Sequence, residues 1–156
     1  MNPPRVYVET TIPSFYHGTR STPSVAARQR WTRVWWTVAE ARFHLLTGAP
    51  VIEELRDGPH ERAAVWLSLI APLPVLEMTQ EVDLVVDHYL GHKLMPRGDA
   101  LHLAVSSVNA CEYIATWNCR HLANPNKTAH IRQINERLGF GTPVIVTPLE
   151  MLETLL

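Results

Sequence analysis

Cysteine is scarce: Cys111 and Cys119 are the two thiols in a chain of 156 residues. Two cysteines cannot staple a disulfide framework, and such sparing use fits a reducing compartment. A zinc site drawn from Cys111, Cys119 and His121 lacks both a fourth ligand and a tight cysteine pair. Lysine occurs only as Lys93 and Lys127, and the formal charge is −1. Nucleic acid, if it binds, must therefore meet a local basic patch and not a field over the whole molecule. No apolar run approaches a membrane span, and no basic stretch leads into an apolar one at the start. The expectation is a cytoplasmic protein with no membrane contact.

Missing motifs exclude more. No G-x-G-x-x-G follows the first expected strand, and no G-x-x-x-x-G-K-[ST] occurs, so the usual backbone cradles for dinucleotides and nucleoside triphosphates are lacking. No G-x-S-x-G elbow is present, which counts against an α/β-hydrolase. What remains is a composition 46% hydrophobic and 19% charged, enough for one globular domain over residues 1–156 with a real core.

The chain is organised around residues 96–118. Leu101, Ala104, Val105 and Val108 recur with the spacing of a core-facing helix, and Pro96 and Gly98 punctuate its start. Asp99 falls in the first turn, where unpaired N–H groups and the helix dipole favour a carboxylate. An aspartate there also has a plain reading, as a residue that merely satisfies backbone donors. Tyr113-Ile114-Ala115 then reads as a short buried strand, with Asn118 just past its carboxyl end. In open parallel sheets that rim is where ligands bind.

Around this core, Arg5-Val6-Tyr7-Val8 reads as a first strand ending in Glu9, with Pro13 stopping extension. A helix is expected from Val25 to about Ala41, buried through Trp31, Val34, Trp35 and Val38. Trp36 lies off that stripe and is expected half exposed, pointing to a partner surface. Arg28, Arg30 and Arg33 on its other faces, with Arg20 just before it, form the one concentrated positive patch. Phe43 to Leu46 reads as a second strand, and Pro50 opens a short helix carrying Glu53 and Glu54, of which only one can face the rim. A further helix buries Ala63, Trp66, Leu67 and Ile70; Val75-Leu76 follows as a strand. Thr79 caps a helix with the stripe Val82, Val85, Val86 and Tyr89. Asn126 to Leu138 is a helix stopped by Gly139, and Val144-Ile145-Val146 a last strand. Thr147-Pro148-Leu149-Glu150 has the cap, first-turn proline and glutamate of a capping box. Five strands alternating with helices predict an α/β three-layer sandwich around a mostly parallel sheet.

Glu9, Glu54, Asp99 and Asn118 thus stand at candidate rim positions. Carboxylates gathered without cysteine or histidine among them favour hard cations, Mg²⁺ or Mn²⁺, which also relieve their mutual repulsion. The segments Val6 to Ser14, Pro50 to Leu55, Gly98 to Ala104 and Thr116 to His121 together resemble the PIN-domain ribonucleases, including VapC-type toxins, over essentially the whole chain. That resemblance implies a PIN-like sheet and a metal-dependent endoribonuclease hydrolysing RNA phosphodiester bonds. It implies Glu9, Glu54, Asp99 and Asn118 as the site, with Glu9, Asp99 and Asn118 on the metal. RNA would lie on Arg20, Arg28, Arg30 and Arg33, and the partners would be a small antitoxin protein and a second copy in a homodimer. Two positions depart from the family pattern: Glu9 and Asn118 stand where aspartates are usual. A PIN-like RNA-binding or regulatory module with weak or no nuclease activity is the alternative. A receiver-like domain is third, lacking an evident phospho-accepting aspartate and its lysine.

Overall fold

β1, Arg5–Val8, is the middle strand of the sheet, and Val6, Tyr7 and Val8 are each 0% exposed. A strand buried on both faces explains why its sequence shows no polar alternation. The computed structural model describes residues 2–18, 22–122 and 124–155. Along the chain follow α1 (Thr11–Tyr16), α2 (Pro23–Arg42), β2 (His44–Gly48), α3 (Ala49–Arg56), α4 (His60–Ile70) and β3 (Val75–Leu76). Then come α5 (Gln80–Gly91), α6 (Arg97–Val108), β4 (Tyr113–Ala115), α7 (Pro125–Leu138), β5 (Val144–Val146) and α8 (Pro148–Leu155).

The five strands are ordered β3-β2-β1-β4-β5 and all pair in parallel. Tyr7 lies between Leu46 and Ile114 in register, so three buried residues line up across the sheet. The chain steps outward from β1 to β3, then crosses to the far side of β1 for β4 and β5. The order therefore reverses between β1 and β4, and a crevice opens at their carboxyl ends. Helices flank the sheet: α2 packs on α1 and α8, and α6 packs on α5 and α3.

Local signals end these elements as their chemistry requires. The Thr79 hydroxyl accepts from Val82 N–H, and Gly139 ends α7 at φ 86°, where a glycine carries no Cβ penalty. Thr147 and Glu150 exchange hydrogen bonds as a capping box, through Thr147 N–H to Oε1 at 3.2 Å and Glu150 N–H to Oγ1 at 3.1 Å.

Two expectations fail on α2. Its buried residues are Gln29, Thr32, Trp35, Trp36 and Ala39, whereas Val34 is 51% exposed. Trp36 is not half exposed but 5% exposed, with its indole N–H donating to Glu40 Oε1 at 2.8 Å. The buried face is turned by about one residue because polar Gln29 and Thr32 occupy it. A count of apolar positions cannot see such a face. α6 differs too: Ala100 and His102 to Ser107 are all buried, so it is enclosed nearly all round, with Leu101 and Val108 only partly covered.

Candidate metal centre

Glu9 follows β1 directly, and its N–H donates to Ala115 O at 3.2 Å, carrying the β1–β4 pairing one residue further. Its side chain is held at the switch point and is 4% exposed. Three donors converge on Oε2: Thr11 N–H at 3.0 Å, the Thr11 hydroxyl at 2.6 Å and the Thr116 hydroxyl at 2.7 Å. Oε1 takes none of these bonds. Each threonine also accepts, Thr11 from Trp117 N–H and Thr116 from Asn118 N–H, both at 2.9 Å. The hydroxyls thus tie the ends of β1 and β4 into one rim.

Helix phase decides between the paired glutamates. Both are exposed, but Glu54 turns to the rim while Glu53 makes no such contact. Glu54 Oε2 accepts the Thr10 hydroxyl at 2.6 Å, and Oε1 lies 2.8 Å from His102 Nε2. His102 Nδ1 in turn lies 2.8 Å from the Tyr7 hydroxyl, and the imidazole is 1% exposed. Gly48 makes room for this line, because a Cβ there would stand 2.8 Å from the Tyr7 oxygen.

Burial opposes a charge on His102, but the bond to Glu54 and the negative fields of Glu9, Glu54 and Asp99 outweigh it, and its pKa is raised. Burial pushes Glu54 up, yet the bond and charge of His102, with the Thr10 hydroxyl, leave it below the ordinary carboxylate value. Asp99 is raised, by burial first and by Glu54 as well, with His121, His102 and Asn118 only partly offsetting them. Burial drives the Tyr7 phenol well above its usual range, which keeps it protonated.

Asp99 sits in the first turn of α6 but does not cap it. Its Oδ1 accepts the Asn118 amide at 2.8 Å, and Asn118 Oδ1 accepts His121 N–H at 3.2 Å in the turn after β4. Asn118 is therefore a turn residue and a partner of Asp99 at once. Among the described residues, the group of three whose ligand atoms lie within 4.8 Å of one another is Glu9, Glu54 and His102. Ligand atoms about 2.1 Å from one ion lie at most about 4.2 Å apart, so slight closure would fit this trio to a divalent cation. Glu9 is brought to Glu54 and His102, whereas Asp99 and Asn118 pair with each other beside them. Cys111, Cys119 and His121 form no comparable group among the described residues.

The arginines behave differently from one another. Arg20 lies outside the described residues. The Arg28 guanidinium stands 5.4 Å from the Trp117 ring centre and 5.9 Å from that of Phe15, next to the rim. Arg30 is exposed. Arg33 braces the end of α1, donating from Nε to Tyr16 O at 2.8 Å and from Nη2 to Gly18 O at 3.2 Å.

Sequence reasoning assigned no role to His102, Tyr7, Thr10, Thr11 or Thr116. For His102 a signal existed: it follows Asp99 by three, the spacing that stacks two side chains on one helix face. Nothing local marks Tyr7, whose contact spans 95 positions of chain.

No family model matches the sequence, and no curated protein matches it. Solved structures do. A chain from the crystal structure of VapBC2 from Rickettsia felis bound to a DNA fragment from their promoter superposes with a TM-score of 0.58 at 10% identity, over 92% of this chain and 98% of that one. A chain of FitAcB from Neisseria gonorrhoeae gives 0.57 at 11% identity, with the same coverage of 92% and 98%. At such identities the likeness is one of fold: a PIN-like α/β architecture with a wholly parallel five-stranded sheet.

Proposed function

We propose that the chain is a PIN-like, metal-dependent endoribonuclease that hydrolyses RNA phosphodiester bonds and acts as the toxin of a toxin–antitoxin pair. The observation that carries this reading is the convergence of Glu9, Glu54 and His102 on the carboxyl rim between β1 and β4, with Asp99 paired to Asn118 beside them. Acids that face one another across a rim gain most from a cation, and carboxylate ligands suit Mg²⁺ or Mn²⁺. Such an ion, when bound, supplies Lewis acidity toward a phosphodiester oxygen and a water of lowered pKa. Glu9 is fixed for that task by its threonines, and Glu54 by Thr10 and His102. Asp99, half-buried and with a raised pKa, is suited to hold a proton or share a charge at the rim. Arg28, spread over Trp117, offers a guanidinium to a phosphate beside Asn118.

Partnership with a small antitoxin rests on the VapC-type resemblance and on the fold shared with a VapBC2 chain. The membrane plays no part in this reading: among the described residues no helix is long and apolar enough to cross one.

The test is cleavage of a panel of single-stranded and structured RNAs with Mg²⁺ or Mn²⁺, with and without chelator. Chelator-sensitive cutting that is lost in Asp99→Asn supports the reading. RNA binding without metal-dependent cutting would favour the binding-module alternative.

A further inference from the structure

We infer that His102 is a nitrogen ligand of the metal, so that the site prefers a first-row transition ion, with Mn²⁺ as its probe, over Mg²⁺. This deepens the nuclease reading and rests on it for the presence of a metal.

Three observations carry it. First, His102 Nε2 and Glu54 Oε1 are 2.8 Å apart. Two ligand atoms at right angles about one ion, each ~2.1 Å from it, lie ~3 Å apart, so the pair already has the spacing of neighbouring ligands. Second, the other ring nitrogen is taken by the Tyr7 hydroxyl at 2.8 Å. A ligating imidazole is commonly oriented by a partner on its second nitrogen, and Tyr7 leaves Nε2 as the atom facing the acids. Third, the ring is 1% exposed in a helix buried nearly all round, and it cannot swing away from Glu9 and Glu54. An ion bound there takes the place of the Nε2 proton, which leaves to solvent. Mg²⁺ seeks oxygen ligands and retains its waters, whereas first-row transition ions accept imidazole nitrogen as well.

The experiment uses the full chain with ¹⁵N-labelled histidine. Mn²⁺ affinity is read from the signal of the free ion in electron paramagnetic resonance, Mg²⁺ affinity from calorimetry. Pulsed resonance on the Mn²⁺-loaded protein reports directly bound nitrogen. The expected result is a nitrogen coupling in the native protein that persists in His121→Gln and vanishes in His102→Gln. His102→Gln should weaken Mn²⁺ by more than the roughly tenfold to hundredfold that loss of an outer-shell partner costs, while changing Mg²⁺ far less. Mn²⁺ bound without nitrogen coupling overturns the inference, as does a coupling that disappears in His121→Gln. Equal loss of both metals in His102→Gln also overturns it, because the imidazole would then only position Glu54. If His102→Gln does not fold, the native and His121→Gln spectra still decide. RNA cleavage with Mg²⁺ alongside uncoupled Mn²⁺ would sink this inference and leave the nuclease reading standing. No metal binding and no cleavage would remove both.

Discussion

The Asn118 amide donates to the Asp99 carboxylate across 2.8 Å, joining the turn after β4 to the first turn of α6. A neutral amide lets these two residues touch without a cation. Asn118→Asp would remove the donor and set two carboxylates against each other, while the new side chain could still accept from His121 N–H. The metal-free variant should lose about 1–3 kcal/mol of stability, the scale for losing a hydrogen bond to a charged group. It should recover that loss on adding Mn²⁺, which it should bind more tightly than the native chain. Thermal unfolding and calorimetry on both proteins check this, and identical metal affinities would place Asn118 outside the metal site.

Asp99→Asn changes charge without volume. The Asp99 carboxyl is raised by burial, so neutralising it should leave folding intact. Metal-dependent RNA cleavage should fall to background while circular dichroism and melting stay close to native. A folded variant that still cuts at the native rate refutes the role given to Asp99.

Arg28→Ala combined with Arg30→Ala should weaken RNA binding and flatten its salt dependence. Each lost phosphate contact on single-stranded RNA removes about 0.7 from the log–log slope, so the pair should remove about 1.4. Arg33→Ala is the control. It bonds to the Tyr16 and Gly18 carbonyls, so its removal should loosen the end of α1 without altering the slope. Filter binding across a salt series separates the two outcomes.

Trp36→Ala should cost about 3–5 kcal/mol, the range for emptying a large buried aromatic site. Val34→Ala, on an exposed position of the same helix, should fall within about 0.5 kcal/mol of native. Denaturant unfolding measures both. Equal effects would mean that α2 presents another face.

Cys111 is buried, and burial pushes its thiol up to about 11, with Glu112 adding to the shift against Arg5. At pH 8 only about one part in a thousand is thiolate. Cys119 is exposed. Iodoacetamide at pH 8 should therefore label Cys119 alone in the native protein and both residues in denaturant, as read by mass spectrometry. Native labelling of Cys111 would contradict its burial.

Much of this architecture was legible in the sequence because its signals are local. β1 reads from four apolar-rich residues and the glutamate after them, the face of α5 from Val82, Val85, Val86 and Tyr89, and the start of α8 from Thr147 and Glu150. Trp36 was misread because the buried face of α2 contains Gln29 and Thr32, whose burial depends on neighbours distant in the chain. The choice between Glu53 and Glu54 turned on helix phase, which the sequence leaves free by one residue. His102 lay in plain view in the organising stretch. Its place at the rim depends on Tyr7 and Glu54, and those contacts exist only after the strands assemble.

Glu9 and Thr116 meet across 107 positions of chain through a single carboxylate oxygen. Such a contact is among the last to repay its loop-closure entropy during folding. A growing chain that has emerged only as far as α6 carries Glu9, Glu54, Asp99 and His102 but lacks the Thr116 hydroxyl and the neighbouring strand that fix Glu9. The set of the Glu9 carboxylate therefore reports on a sheet completed as far as β4.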